Sequence, residues 1–290
     1  MKGCLILILA FLSDAISAQE VYREGHVSTD LCESYLTISS YGKELFFVRS
    51  QSFYEPAKKT IYHSKQIGLE WTDPKVAPFS GEYSDSSPFL TYDDKWIYFS
   101  SNRPAKNKKG SDSDIWRVPR LNDDSWGKPE HIGFDVNSSS PEYSPSLDLE
   151  GNLYFGSTRN KDEWGNLFYA RRRGKSFELP IELPKPINSK DGEWGSCISP
   201  NGDFIVFESN GRSENMTYDG DLFIAWNKNG VWESYKHLPI NSTKSDLSPR
   251  IFQDTRGEYY LFFASNRNLL NADSNDVDIY SYSLKIDELE

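Results

Sequence analysis

Five acidic residues return along the chain at nearly equal intervals: Glu33, Asp85, Glu142, Glu193 and Asp246, separated by 52, 57, 51 and 53 residues. Serine or Ser-Pro follows closely in Asp85-Ser86-Ser87-Pro88, Glu142-Tyr143-Ser144-Pro145, Glu193-Trp194-Gly195-Ser196 and Asp246-Leu247-Ser248-Pro249, with a degenerate copy at Glu33-Ser34-Tyr35-Leu36. Carboxylates brought together could hold a hard cation such as Ca²⁺ through oxygen ligands. Two of them could instead divide the acid and base roles of glycoside hydrolysis. The periodicity argues against both. An acid and a base need different surroundings to separate their pKa values, whereas this residue type recurs in every unit. Arginines recur just as regularly, at Arg103, Arg159, Arg212 and Arg267. The favoured reading is therefore that each acid pairs with its arginine or caps backbone donors at the blade junction.

Other chemistry-bearing residues are sparser. Asp-x-Asp pairs at Asp112/Asp114, Asp219/Asp221 and Asp276/Asp278 are further Ca²⁺ candidates, although aspartates at turns and strand entries commonly satisfy nearby backbone. His131 and His237 occupy matching repeat positions and His26 nearly so, which points to structure; His63 has no counterpart. No Gly-x-Ser-x-Gly elbow, phosphate loop or zinc-ligand cluster occurs. No catalytic residue is assigned, and no cofactor is expected beyond the Ca²⁺ candidate. Asn137, Asn215 and Asn241 head glycosylation sequons.

The elements that position these residues can be read from the same repeat. After each acid comes a turn, then a strand ending in Phe that runs into Ser-Asn-Arg or a relative of it: Phe99 to Arg103, Phe155 to Arg159, Phe207 to Arg212, Phe263 to Arg267, and weakly Phe47 to Arg49. A polar loop leads to a third strand opening at Asp114-Ile115-Trp116, Asn166-Leu167-Phe168, Asp221-Leu222-Phe223 or Asp278-Ile279-Tyr280. A fourth segment carries an aromatic and a hydrophobic run, as in Trp126 to Ile132 and Trp232 to Ile240. Four strands per unit and five units make an all-β, five-bladed β-propeller. The fifth unit stops after its third strand, near Leu284. Val21 to Asp30 is expected to supply the missing strand and close the last blade, which also hides a sheet edge.

Asn188 to Glu193, Ser199-Pro200-Asn201-Gly202-Asp203, Phe207 to Arg212 and Asp221-Leu222-Phe223 resemble the PD40, or WD40-like, repeat of TolB-type propellers. The resemblance extends over essentially all of residues 19–290. It implies the propeller fold more than one activity, since this repeat occurs in periplasmic interaction modules, peptidase propellers and cell-envelope proteins, and it brings a six-bladed TolB-like ring as the alternative architecture.

In a propeller the loops from fourth strand to next first strand, and from second to third strand, emerge on one face. Here these are the long and varied loops, at 51–58, 104–113, 160–165, 213–220 and 268–277, so this face is expected to bind. Its aromatics include Phe53, Tyr54, Tyr83, Tyr143, Trp164, Trp194 and Tyr218. Tyr54, Trp164 and Trp194 join the acids and arginines as candidate channel-mouth or binding-face residues, since such rings offer large contact area with a polar tip. The basic runs Lys106 to Lys109 and Arg171 to Arg173 read as solvated loops.

A net charge of −11 argues against nucleic-acid binding, which requires a basic face. Residues 1–18 read as a short signal peptide whose apolar run is too short to span a bilayer. Residues 19–290 read as one domain, secreted or periplasmic and monomeric. Cys32 and Cys197 are too few for a disulfide framework. The expected function is a non-enzymatic binding or scaffolding propeller that recognises a protein or peptide. The alternatives are a five-bladed carbohydrate-active enzyme using channel carboxylates such as Glu142 and Glu193, and a cation-dependent lactonase or esterase.

Overall fold

A computed structural model describes residues 21–53, 57–106, 112–160, 164–267 and 276–289. The proposed signal peptide and Tyr54 lie outside these residues, as do parts of the long loops. The described chain is a five-bladed β-propeller. Its innermost strands are Cys32–Ile38, Asp85–Leu90, Glu142–Leu147, Glu193–Ile198 and Asp246–Gln253. Each touches the next, and the last touches the first, so the ring is closed.

Within each blade the strands run antiparallel in chain order. The fourth blade is the fullest, with Glu193–Ile198, Phe204–Ser209, Asp221–Lys228 and Val231–His237 side by side. Burial follows position. The second strand of that blade lies between neighbouring blades and is buried at every residue, so its sequence is continuously apolar until Glu208. The outer strand alternates buried Trp232 with exposed neighbours. Fourth strands elsewhere are shorter than the sequence suggests: in the second blade only Glu130–His131 pairs, with an isolated bridge between Arg120 and Trp126. The core sits between blades. Phe46, Val48 and Ile61 of the first blade, for example, cluster with Ile97, Phe99 and Trp116 of the second.

Closure of the last blade follows the sequence reading. Its sheet has three strands, and Val21 forms an antiparallel bridge with Tyr280. The Tyr22 amide donates to the Ile279 carbonyl at 2.6 Å, and the Ile279 amide donates to Ser28 Oγ at 3.2 Å.

Every innermost strand is bulged just after its acid, with register shifts at 34–37, 86–89, 143–146, 193–196 and 247–250. Tyr35, Ser87, Ser144 and Ser248 take left-handed φ angles of 53°, 54°, 51° and 57° there. A bulge bends a strand and re-aims its side chains. The repeated Ser-Pro is thus the sequence mark of a kink that turns the inner strands onto the ring axis.

Candidate functional site

The five acids head these strands, and all are fully buried. Each receives a guanidinium. Arg49 Nε meets Glu33 at 2.7 Å, Arg103 Nη2 meets Asp85 at 2.7 Å, and Arg159 Nη2 meets Glu142 at 3.1 Å. Arg212 Nη2 meets Glu193 at 2.8 Å, and Arg267 Nη2 pairs with Asp246. The other oxygens are occupied by the linker arriving from the preceding blade. Ser189 donates its amide to Glu193 Oε2 at 3.1 Å and its hydroxyl to Oε1 at 2.7 Å; Thr29, Ser138 and Ser242 serve Glu33, Glu142 and Asp246 in the same way. The arginines reach linker carbonyls as well, as Arg103 does with Phe79 at 3.0 Å and Arg159 with Val136 at 2.6 Å. Each guanidinium also lies over aromatic rings of its own blade, Arg212 over Phe207, Phe223 and Tyr235. The acid, the arginine and the linker form a staple that fixes one blade to the chain entering it.

Five residues before each acid stands a second repeated device that was not identified from the sequence. Asn137, Asn188 and Asn241 accept from and donate to the backbone of Ile115, Leu167 and Leu222, at 2.7–3.0 Å, in the manner of a neighbouring strand. Ser80 and Ser28 accept from Ile61 and Ile279 at the same place. The mixture of Asn and Ser concealed the periodicity. The device also bears on the sequons, because the amide nitrogens of Asn137, Asn241 and Asn215 are all donated to backbone carbonyls, and Asn137 is buried.

The ring axis is filled by a residue that does not repeat. Four positions after their acids stand Thr37, Phe89, Ser146, Cys197 and Arg250. Arg250 is 1% exposed. Its Nε donates to the Pro88 carbonyl at 3.1 Å and its Nη2 to that of Ser87 at 3.2 Å. Its Nη1 reaches the Pro249 carbonyl at 2.9 Å, the Ser196 carbonyl at 3.2 Å and Ser144 Oγ at 3.3 Å. The guanidinium also lies 4.9 Å from the centre of the Tyr35 ring. One side chain therefore contacts all five innermost strands. Burial pushes its pKa down, with Cys197, Tyr35 and Tyr92 opposing.

A buried acid that breaks the repeat bonds to the same innermost strand, at Ser248. Glu208 stands where the other second strands carry Val48, Ser100, Gly156 and Ala264. It is buried and accepts the Ser248 amide at 3.0 Å. Burial raises its carboxyl to about 7, with the Ser248 hydrogen bond and the charge of Lys59 pulling the other way. Burial, and to a smaller extent the charge of Glu208, pushes up the pKa of the Tyr35 and Tyr143 hydroxyls.

An aromatic layer completes the loop face between the third and fourth blades. Tyr143 and Trp194 stack at 5.9 Å between ring centres. Glycines make the room. A Cβ on Gly156 would fall 2.1 Å from the Tyr143 ring, one on Gly165 2.0 Å from the Tyr143 hydroxyl, and one on Gly192 2.6 Å from Trp194 Nε1 and 3.3 Å from Trp164. Trp164, Met216 and Tyr218, on the loops of these two blades, are 61%, 50% and 77% exposed.

The histidines bond to neighbouring side chains, His26 to Ser64 at 3.4 Å. His131 bonds to Asp114 at 3.0 Å, His237 to Asp221 at 2.6 Å and His63 to Glu44 at 2.7 Å. Cys32 and Cys197 are both free and buried. Among the described residues no three His, Cys, Asp or Glu side chains converge as a metal-ligand set, and no helix is long and apolar enough to cross a membrane.

No protein-family model and no curated protein matches this chain. Solved structures do. A glycoside hydrolase superposes with a TM-score of 0.58 at 10% identity, over 98% of this chain and 97% of its own. The GH43B protein of a Bacteroides ovatus xyloglucan locus gives 0.55 at 18% identity, over 90% of this chain, which spans 54% of that protein. A TolB-like protein from Agrobacterium tumefaciens gives 0.52 at 14% identity, covering 89% of this chain and 92% of that one. At these identities the likeness is one of fold.

Proposed function

We propose that this propeller is an exported binding or scaffolding module that recognises a protein or peptide through its loop-bearing face, and that it does not hydrolyse its ligand. The observation that carries this reading is the staple. Acid–base hydrolysis of a glycoside needs two carboxyl groups separated by roughly 5–9.5 Å. All five acids at the heads of the inner strands are fully buried and bound to arginine. What departs from the repeat on this face is aromatic and exposed, as expected of a recognition surface. Trp164, Met216 and Tyr218 are its contact candidates, with the Tyr143–Trp194 stack behind them.

A carbohydrate ligand is the second reading. It is favoured by Glu208, a raised carboxyl beside Tyr35 and Tyr143, together with the stacked rings. Parallel peptide and glycan arrays probed with residues 19–290 separate the two. Peptide capture that Trp164→Ala reduces about tenfold or more supports the leading proposal. Release of reducing sugar from a polysaccharide, abolished by Glu208→Gln, would replace it with an enzyme.

A further inference from the structure

The opposite face carries tight turns, and between its second and third blades lies a cavity of about 460 Å³. Its walls are the turn at 91–96, the turn at 147–151 and the hairpin formed by Arg172–Arg173 and Ser176–Phe177. Ligand pockets for small molecules begin at about 300 Å³. The volume suits a ligand of one or two sugar rings.

The lining combines aromatic surface with cationic groups. Trp96, Tyr98 and Phe177 provide the rings. Arg117 lies 4.6 Å from the centre of the Trp96 ring, donates to Glu130 at 3.2 Å, and bridges to the hairpin by donating to the Lys175 carbonyl at 3.2 Å. Lys95 pairs with Asp93 at 3.0 Å. Arg172 differs from both. Its Nε donates to the Gly174 carbonyl at 3.1 Å, and the described residues place no carboxylate in an ion pair with it. Its guanidinium is folded over Gly151, where a Cβ would fall 2.6 Å from Nη1 and 2.7 Å from Cδ. Gly151 also has a φ of 83°, so both the turn and the seat of Arg172 require glycine there. Burial pushes the Tyr98 hydroxyl's pKa up, and Arg117 and Arg172 both pull it down.

With Lys95 and Arg117 already paired, Arg172 and Lys175 face a single remaining acid on the lining, Asp148. That acid is engaged by Asn152, which donates its amide at 2.9 Å and its Nδ2 at 2.9 Å. In a chain of net charge −11 this is a local surplus of positive charge beside ring surface.

We propose that this inter-blade cavity is a second binding site, specific for a carboxylate-bearing sugar such as a uronic acid. Arg172 meets the carboxylate and the rings of Trp96 and Phe177 line the pocket for the sugar. A planar guanidinium suits a carboxylate because two N–H donors can meet two oxygens. The site is independent of the loop-face reading above.

Isothermal titration of residues 19–290 with digalacturonate, lactose and diglutamate tests it. Digalacturonate is expected to bind, with lactose and diglutamate each about tenfold weaker or more. Arg172→Ala should weaken digalacturonate by about tenfold or more while leaving the unfolding midpoint unchanged. Raising the salt concentration should weaken it further. Failure of digalacturonate to bind, equal binding of lactose or diglutamate, or indifference to Arg172→Ala would each overturn the proposal.

Discussion

The protein buries arginine in two ways, at the rim and at the hub. At the rim, Arg49, Arg103, Arg159, Arg212 and Arg267 each meet a carboxylate, a linker carbonyl and the rings of their own blade. At the hub, Arg250 meets only carbonyls, a hydroxyl and a ring, drawn from every blade. The rim arginines hold one blade to the chain entering it. The hub arginine holds blades to one another. A charge used five times is neutralised where it stands, whereas the charge used once is spread over backbone dipoles.

Removing the hub should therefore have the largest effect. Arg250→Met leaves the buried carbonyls of Ser87, Pro88, Ser196 and Pro249 without their donor, and a loss of about 4 kcal/mol or more is expected in chemical denaturation. A loss under about 1 kcal/mol would show that the blades do not depend on the hub. A single rim staple should cost slightly less. Arg212→Met strands Glu193 in a fully buried site and should cost about 3–5 kcal/mol, and the added change Glu193→Gln should recover part of that. If the double variant were no more stable than the single one, the stranded charge would not be the cause.

Glu208 tests the hub by pH. Its carboxyl lies at about 7 in the folded chain against an ordinary 4.5, so the folded state binds the proton more tightly. Stability from this group is highest below about pH 4.5, falls as pH rises towards 7, and is level above that. Glu208→Gln removes the decline, so its advantage over the parent should grow by about 3 kcal/mol between pH 4.5 and about pH 8. Unfolding midpoints across that range check it, and a constant difference would mean an ordinary carboxyl. The smallest effect on stability belongs outside both regions: Trp164→Ala, on an exposed loop, should change stability by no more than about 0.5 kcal/mol while reducing ligand capture.

The ring and its staples were legible in the sequence because they repeat. Five acid–serine units and a shared Phe-to-Arg run identify the blades before any coordinate is known, and Val21 to Asp30 could be assigned to the last blade by its likeness to a fourth segment. The hub was not legible. Arg250 follows Ser-Pro within an ordinary strand, and Glu208 takes the place of Val, Ser, Gly or Ala in the other blades, so each looks like routine variation until the inner strands are seen to converge. The Asn and Ser linker residues escaped for the opposite reason, two residue types performing one task. Arg172 read as a solvated loop because nothing in Arg171 to Arg173 announces that Gly151 leaves a seat for its middle member.

Closure of the last blade has a consequence for how the chain is made. Ser28 and Ile279 are bonded across a separation of 251 residues. During synthesis the segment at 21–30 emerges well before its partner strand Asp278–Leu284. Blades one to four can assemble as they appear, each stapled to the linker before it. The segment at 21–30 must wait beside an open ring. Contacts this distant in sequence form slowly, and until they form the last blade exposes an unpaired edge open to other chains. The interval between the emergence of Asp278–Leu284 and the docking of Val21 is thus a period in which the open blade is exposed to misassembly.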